Sequence, residues 1–130
     1  MIPLLTSYCL ANVSRATWAD DWFQTLKSIV LPVIDGDRKD GHKRVRIAIL
    51  DTGVDAEHRE IQTAISGKRI KEYQGFPESL DPLRDENGHG THGTSVLLRT
   101  APNAVIYICR VADNDGNLSN ENGYFHVAKV

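Results

Sequence analysis

With 130 residues, 41% of them hydrophobic and 25% charged, the chain has an ordinary globular composition and the length of one domain, able to bury roughly two thirds of its unfolded surface. A formal charge of −2 provides no electrostatic footprint for nucleic acid or an anionic membrane, and no apolar run is long enough to span a bilayer. Cys9 and Cys109 lie far apart without metal-type spacing, which argues against a disulfide framework and favours a reducing compartment.

Met1 to Leu10 is apolar but lacks a basic start and is too short for a signal peptide, so an intracellular location is expected. Thr17-x-x-Asp20 has the spacing of a capping box, with Asp20 and Asp21 in the first turn of the helix it opens. Trp18, Trp22, Leu26, Ile29 and Val30 then recur at helical spacing. They form one apolar stripe that should end before Pro32 and pack on its own domain. Asp35 to Lys43 is polar, contains Gly36 and Gly41, and reads as a linker. Residues 1–43 are therefore expected to be an N-terminal helix and linker, and 44–130 the main domain.

Arg44 to Gly53, Arg-Val-Arg-Ile-Ala-Ile-Leu-Asp-Thr-Gly, carries the strongest strand signal. Its nearly continuous β-prone run reads as a strand covered on both faces, the habit of a parallel sheet. Chemistry in open α/β sheets collects beyond the carboxyl ends of strands, so Asp51 stands where a catalytic carboxylate would be held. It would serve equally as a turn aspartate satisfying backbone N–H groups. Asp55 is expected to cap a short helix carrying Ile61, Ala64 and Ile65, with Gly67 as a left-handed stop. Arg69 to Phe76 fits a short strand or an irregular segment, and Pro77 to Asn87 a polar loop. A helix from about His89 to Arg99 leads through Pro102-Asn103 to a second buried-type strand, Ala104 to Val111. A turn at Asp113 to Asn117 precedes a further helix from Ser119 or Asn120, with Phe125, Val127 and Ala128 as apolar positions. This order implies an α/β layer sandwich.

The stretch Asn87-Gly88-His89-Gly90-Thr91-His92-Gly93-Thr94-Ser95-Val96 places three glycines at the head of a helix. Each costs up to about 1 kcal/mol against alanine in a helix interior, so the backbone there should approach something closely. His89 would project from the helix start into a cleft. Histidine moves protons near neutral pH, and for acyl transfer it needs a carboxylate at Nδ1 to fix its tautomer. Asp51 is the candidate.

Ile-Ala-Ile-Leu-Asp51-Thr52-Gly53-Val54 resembles the aspartate motif of the subtilisin-like serine proteases, and Gly88-His89-Gly90-Thr91-His92 resembles their histidine motif, in the family's order of Asp before His. The resemblance runs from about Arg44 to Val111. It implies a three-layer α/β/α sandwich on a parallel sheet, here truncated, and a serine endopeptidase acting on polypeptides. Asp51 would orient the base, and His89 would be general base and acid. It implies no cofactor; structural calcium occurs in the family but is not readable from these residues.

A metal site built on His89 and His92, with His58 or Asp51 as third ligand, has little support. The zinc-protease signature spaces its histidines four apart with a glutamate beside the first. His92 is expected to be a packed helix residue outside the triad. Gly93-Thr94-Ser95 superficially resembles the family's nucleophile motif, but Ser95 lies six residues beyond His89, about 240° around the helix. Leu97 also stands where that motif wants a small residue. The family's nucleophile and oxyanion-hole asparagine would fall later than Val130, and the chain stops inside an expected helix. Two readings result: the Asp/His half of a serine endopeptidase, or a truncated, non-catalytic remnant that binds peptides or does nothing.

Overall fold

The computed structural model describes residues 17–36, 41 and 43–118, and the chain divides into two units, Met1–Asp37 and Arg38–Val130. In the first unit, helix α1 spans Trp18–Thr25 and both halves of the expected capping box form. Asp20 N–H donates to Thr17 Oγ1 at 3.3 Å and Thr17 N–H to Asp20 Oδ2 at 2.8 Å. The helix does not stop before Pro32. Leu26–Val30 widens into a π-helical turn, and α2, Leu31–Gly36, continues through the proline. Proline in a regular α-helix clashes with the carbonyl at i−4 and leaves it without a donor; wider i−5 pairing, here Leu31 N–H to Leu26 O, opens room before the ring arrives. Among the described residues of these segments none is buried, and Trp18 is 95% exposed.

The second unit runs β1 Arg46–Asp51, α3 Arg59–Ser66, β2 Ile70–Gly75, α4 His89–Thr100 and β3 Val105–Arg110. Arg69 to Phe76 thus resolves as a strand. The three strands form a parallel sheet in the order β1-β3-β2, with Ile49 opposite Ile108 and Asp51 opposite Arg110. Each crossover passes through a helix, as parallel pairing requires. Val54, Ile61, Ala64, Ile70, Leu98, Ile106 and Ile108 make the core, with Ile49, Leu83 and Leu97 against it. Both α3 and α4 contribute to this one cluster, so they cover the same face of the sheet.

The other face is open among the described residues. Arg46, Ala48 and Leu50 of β1 are exposed, and a groove of about 640 Å³ runs over Ala48, Tyr73, Phe76, Tyr107 and Cys109. The expectation that β1 is covered on both faces is therefore met on one face only. The helix expected from Ser119 or Asn120 lies outside the described residues.

Two local expectations change at α3. Asp55 does not cap it: His58 is the N-cap, without a side-chain bond, while Asp55 Oδ1 accepts Glu57 N–H at 2.8 Å in a turn one step earlier. The left-handed residue at the other end is Lys68, at φ 55, not Gly67, at φ −78. Lys68 N–H donates to Ile65 O at 2.9 Å and Arg69 N–H to Ala64 O at 2.8 Å. These two bonds make a full Schellman ending, whose left-handed position falls one residue beyond the glycine.

Candidate active site

The carboxyl end of β1 and the start of α4 meet through glycine. Gly53 takes φ 101 and Gly88, the N-cap of α4, φ 86. A Cβ on Gly90 would lie 2.1 Å from the Gly53 carbonyl oxygen, so the two motifs touch backbone to backbone. Gly88 thus uses its freedom of φ and Gly90 its lack of a side chain. Gly93 uses neither, since a Cβ there would meet nothing within 4 Å. Close approach therefore explains one glycine of the three.

This contact brings His89 to Asp51. The imidazole Nδ1 lies 2.8 Å from Asp51 Oδ2 and 2.9 Å from Oδ1. With a carboxylate at that distance Nδ1 carries the shared proton, which leaves the Nε2 lone pair on a side chain that is 76% exposed. The Asp51 side chain is 21% exposed and accepts Thr52 N–H at 2.7 Å through Oδ1. Asp51, by its hydrogen bond first and its charge second, holds the His89 imidazole above the ordinary range; burial opposes this, and the Asp85 charge adds the smallest push upward. The pair opens on a cleft of about 430 Å³ lined by Leu50, Asn87, Val111 and Leu118, among others.

Asp85 escapes a motif-based reading. Gly88 has no side chain with which to cap α4, so its first N–H groups need another acceptor. Asp85 supplies it: Oδ1 accepts Gly88 N–H at 2.9 Å and Oδ2 accepts Thr91 N–H at 2.7 Å and the Thr91 hydroxyl at 2.5 Å. Oδ1 also accepts the Thr52 hydroxyl at 2.7 Å, whose oxygen in turn accepts Gly90 N–H at 3.2 Å. Burial pushes the Asp85 carboxyl up, but the bonds from Thr91, Thr52 and Gly88 outweigh it and leave it below the ordinary carboxylate range. The available signal was an acidic residue one turn ahead of a helix whose N-cap is glycine.

The loop carrying Asp85 is pinned rather than free. Val54 N–H donates to Pro82 O at 3.0 Å and Ala56 N–H to Leu83 O at 3.2 Å. Arg110, 5% exposed, donates through one terminal nitrogen to Asp81 O at 2.9 Å and Arg84 O at 2.8 Å. A buried guanidinium here satisfies carbonyls at a turn instead of pairing with a carboxylate.

His92 faces away from the pair, as expected, but it is exposed rather than packed. It lines a separate cavity of about 310 Å³ with His58, Ser95 and Arg99. His58 and His92 therefore lie on one side and His89 on another. Among the described residues no three His, Cys, Asp or Glu side chains are grouped to hold a metal. No helix among them is long and apolar enough to cross a membrane.

A family model described as "Subtilase family" matches residues 42–126. Over 84 residues the chain is 34% identical to the intracellular serine protease of Paenibacillus polymyxa, covering 56% of this chain and 25% of that protein. It is 33% identical over 91 residues to the major intracellular serine protease of Bacillus subtilis strain 168, covering 62% and 26%. Thermitase of Thermoactinomyces vulgaris is 33% identical over 82 residues, covering 55% and 28%. The match thus spans about a quarter of the length of these relatives.

Proposed function

Because the chain belongs to the subtilase family, we propose that it carries the Asp/His half of a serine endopeptidase site that acts on polypeptides. The observation that carries this reading is the 2.8 Å contact between His89 Nδ1 and Asp51 Oδ2. Asp51 fixes the tautomer, so Nε2 is the nitrogen able to take a proton from a serine hydroxyl as it attacks a peptide carbonyl. The imidazolium so formed is stabilised by Asp51 and returns the proton to the leaving amine. The raised proton affinity of His89 is the ground-state signature of that stabilisation. Two relatives are named as intracellular proteases, which supports an intracellular site of action for this one.

The reading also needs a nucleophile and an oxyanion donor. Among the described residues no serine lines the cleft of Asp51 and His89, and Ser95 lies on the cavity of His92. The 130-residue chain alone should therefore neither cleave peptides nor react with a fluorophosphonate. Joined to a downstream segment containing Gly-Thr-Ser-x-Ala it should do both, and His89→Ala should then lower kcat by on the order of 10⁶. Labelling of the short chain at Ser95, or full activity of the joined chain after His89→Ala, would overturn the assignment.

A further inference from the structure

The Asp85 carboxylate does more than cap a helix. Capping α4 needs only its bonds to Gly88 and Thr91. Its bond to the Thr52 hydroxyl reaches back 33 residues, to the residue whose own N–H holds Asp51 Oδ1. One continuous run of hydrogen bonds therefore leads from the helix turn bearing His89, through Asp85 and Thr52, to the carboxylate of Asp51. Contact between Gly90 and Gly53 stops the two motifs from moving closer, and the Asp85 bridge stops them from moving apart. His89, with 76% of its side chain exposed, has little packing to hold its ring, so its position depends on where the helix start is tied.

We propose that Asp85 is a positioning residue: by bridging the Thr52 hydroxyl to the first turn of α4, it sets the separation between the Asp51 carboxylate and the His89 imidazole. The inference rests on reading Asp51 and His89 as a working pair. It predicts that the bridge can be cut at Thr52 while the Asp85 charge stays in place, and that His89 will register the cut.

The test is the titration of the His89 ring by NMR in the 130-residue chain, with amide protection of β3 checking that each variant is folded. Asp51→Asn should lower the midpoint to the ordinary imidazole value of about 6.5; if it does not, the pair itself is misread. Thr52→Val, isosteric but without the hydroxyl, should move the midpoint part of the way down, and Thr52→Ser should leave it at the wild-type position. A wild-type midpoint in folded Thr52→Val, alongside a lowered one in Asp51→Asn, would overturn the proposal and leave the pair intact. Thr52→Val also removes the Gly90 N–H bond to that hydroxyl, which Asp85→Asn spares, so Asp85→Asn should lower the midpoint as well. A fall in Thr52→Val with a wild-type midpoint in Asp85→Asn would assign the tie to the Gly90 bond and overturn the proposal; the reverse would show that Asp85 acts by charge alone. If Thr52→Val does not fold, Thr52→Ala takes its place.

Discussion

At the scale of single residues, two glycines on one helix should respond in opposite ways to the same methyl group. Gly90→Ala drives a Cβ to 2.1 Å from the Gly53 carbonyl and should cost about 1–3 kcal/mol, as overpacking of tight sites does. Gly93→Ala meets nothing within 4 Å and should stabilise α4 by up to about 1 kcal/mol. Urea midpoints at constant m-value would separate the two; equal effects would mean that the Gly53–Gly90 contact is not real. His89 imposes a pH dependence of defined sign. Asp51 raises its folded pKa, so the stabilisation is fully present below the unfolded value near 6.5 and is lost as pH rises through the folded value. Stability measured by urea should therefore decline from about pH 6.5 upward, and Asp51→Asn should flatten that limb. A limb of the same slope in Asp51→Asn would assign it to another group.

At the scale of elements, the readable parts were those fixed by periodicity and local chemistry. The run Val45 to Leu50, the capping box at Thr17 and the helix after Gly88 are each signalled by neighbours in sequence, and all three form. Errors arose where two local solutions compete. Asp55 and His58 both precede α3, and the aspartate forms its turn with Glu57 instead of a cap. Pro32 reads as a stop until a π-turn is allowed ahead of it. Gly67 attracts the left-handed assignment, yet that position falls on Lys68. The last error has a measurable consequence. Left-handed φ costs a non-glycine residue about 1–2 kcal/mol, and glycine adds roughly 0.5–1 kcal/mol of chain entropy to the folding cost. Lys68→Gly should therefore stabilise by about 0.5–1 kcal/mol net, read as a higher thermal midpoint; a lower midpoint would show that the lysine side chain makes a compensating contact. Asp51 and His89 could be named as candidates because each sits in a contiguous motif. Asp85 could not be tied to Thr52, because that bond spans 33 residues and depends on how the loop folds back beneath Arg110.

At the scale of the molecule, strand order was legible only in part. Parallel pairing of Val45 to Leu50 with Ala104 to Val111 follows from their composition, but nothing in either segment says that β3 lies between the other two. That placement has a consequence in time. A chain made from its N-terminus presents β1 and β2 first, and among the described residues each of them pairs with β3 alone. Until Val105 to Arg110 emerges, these two strands have no described ladder to join, and their apolar residues wait uncovered for a partner that is synthesised after both. The sheet then closes by insertion, and only that step seats Asp51 beside Arg110. Long-range pairing of this kind is slow because the loops must close before any contact rewards them. A chain ending at Pro102 should accordingly show no hydrogen-exchange protection at Ile47 and Ile49, while the 130-residue chain protects both. Protection in the shorter chain would mean that β1 finds its place without its central neighbour. On the reading proposed above, the same order also leaves His89 without its Asp51 partner until β3 is inserted.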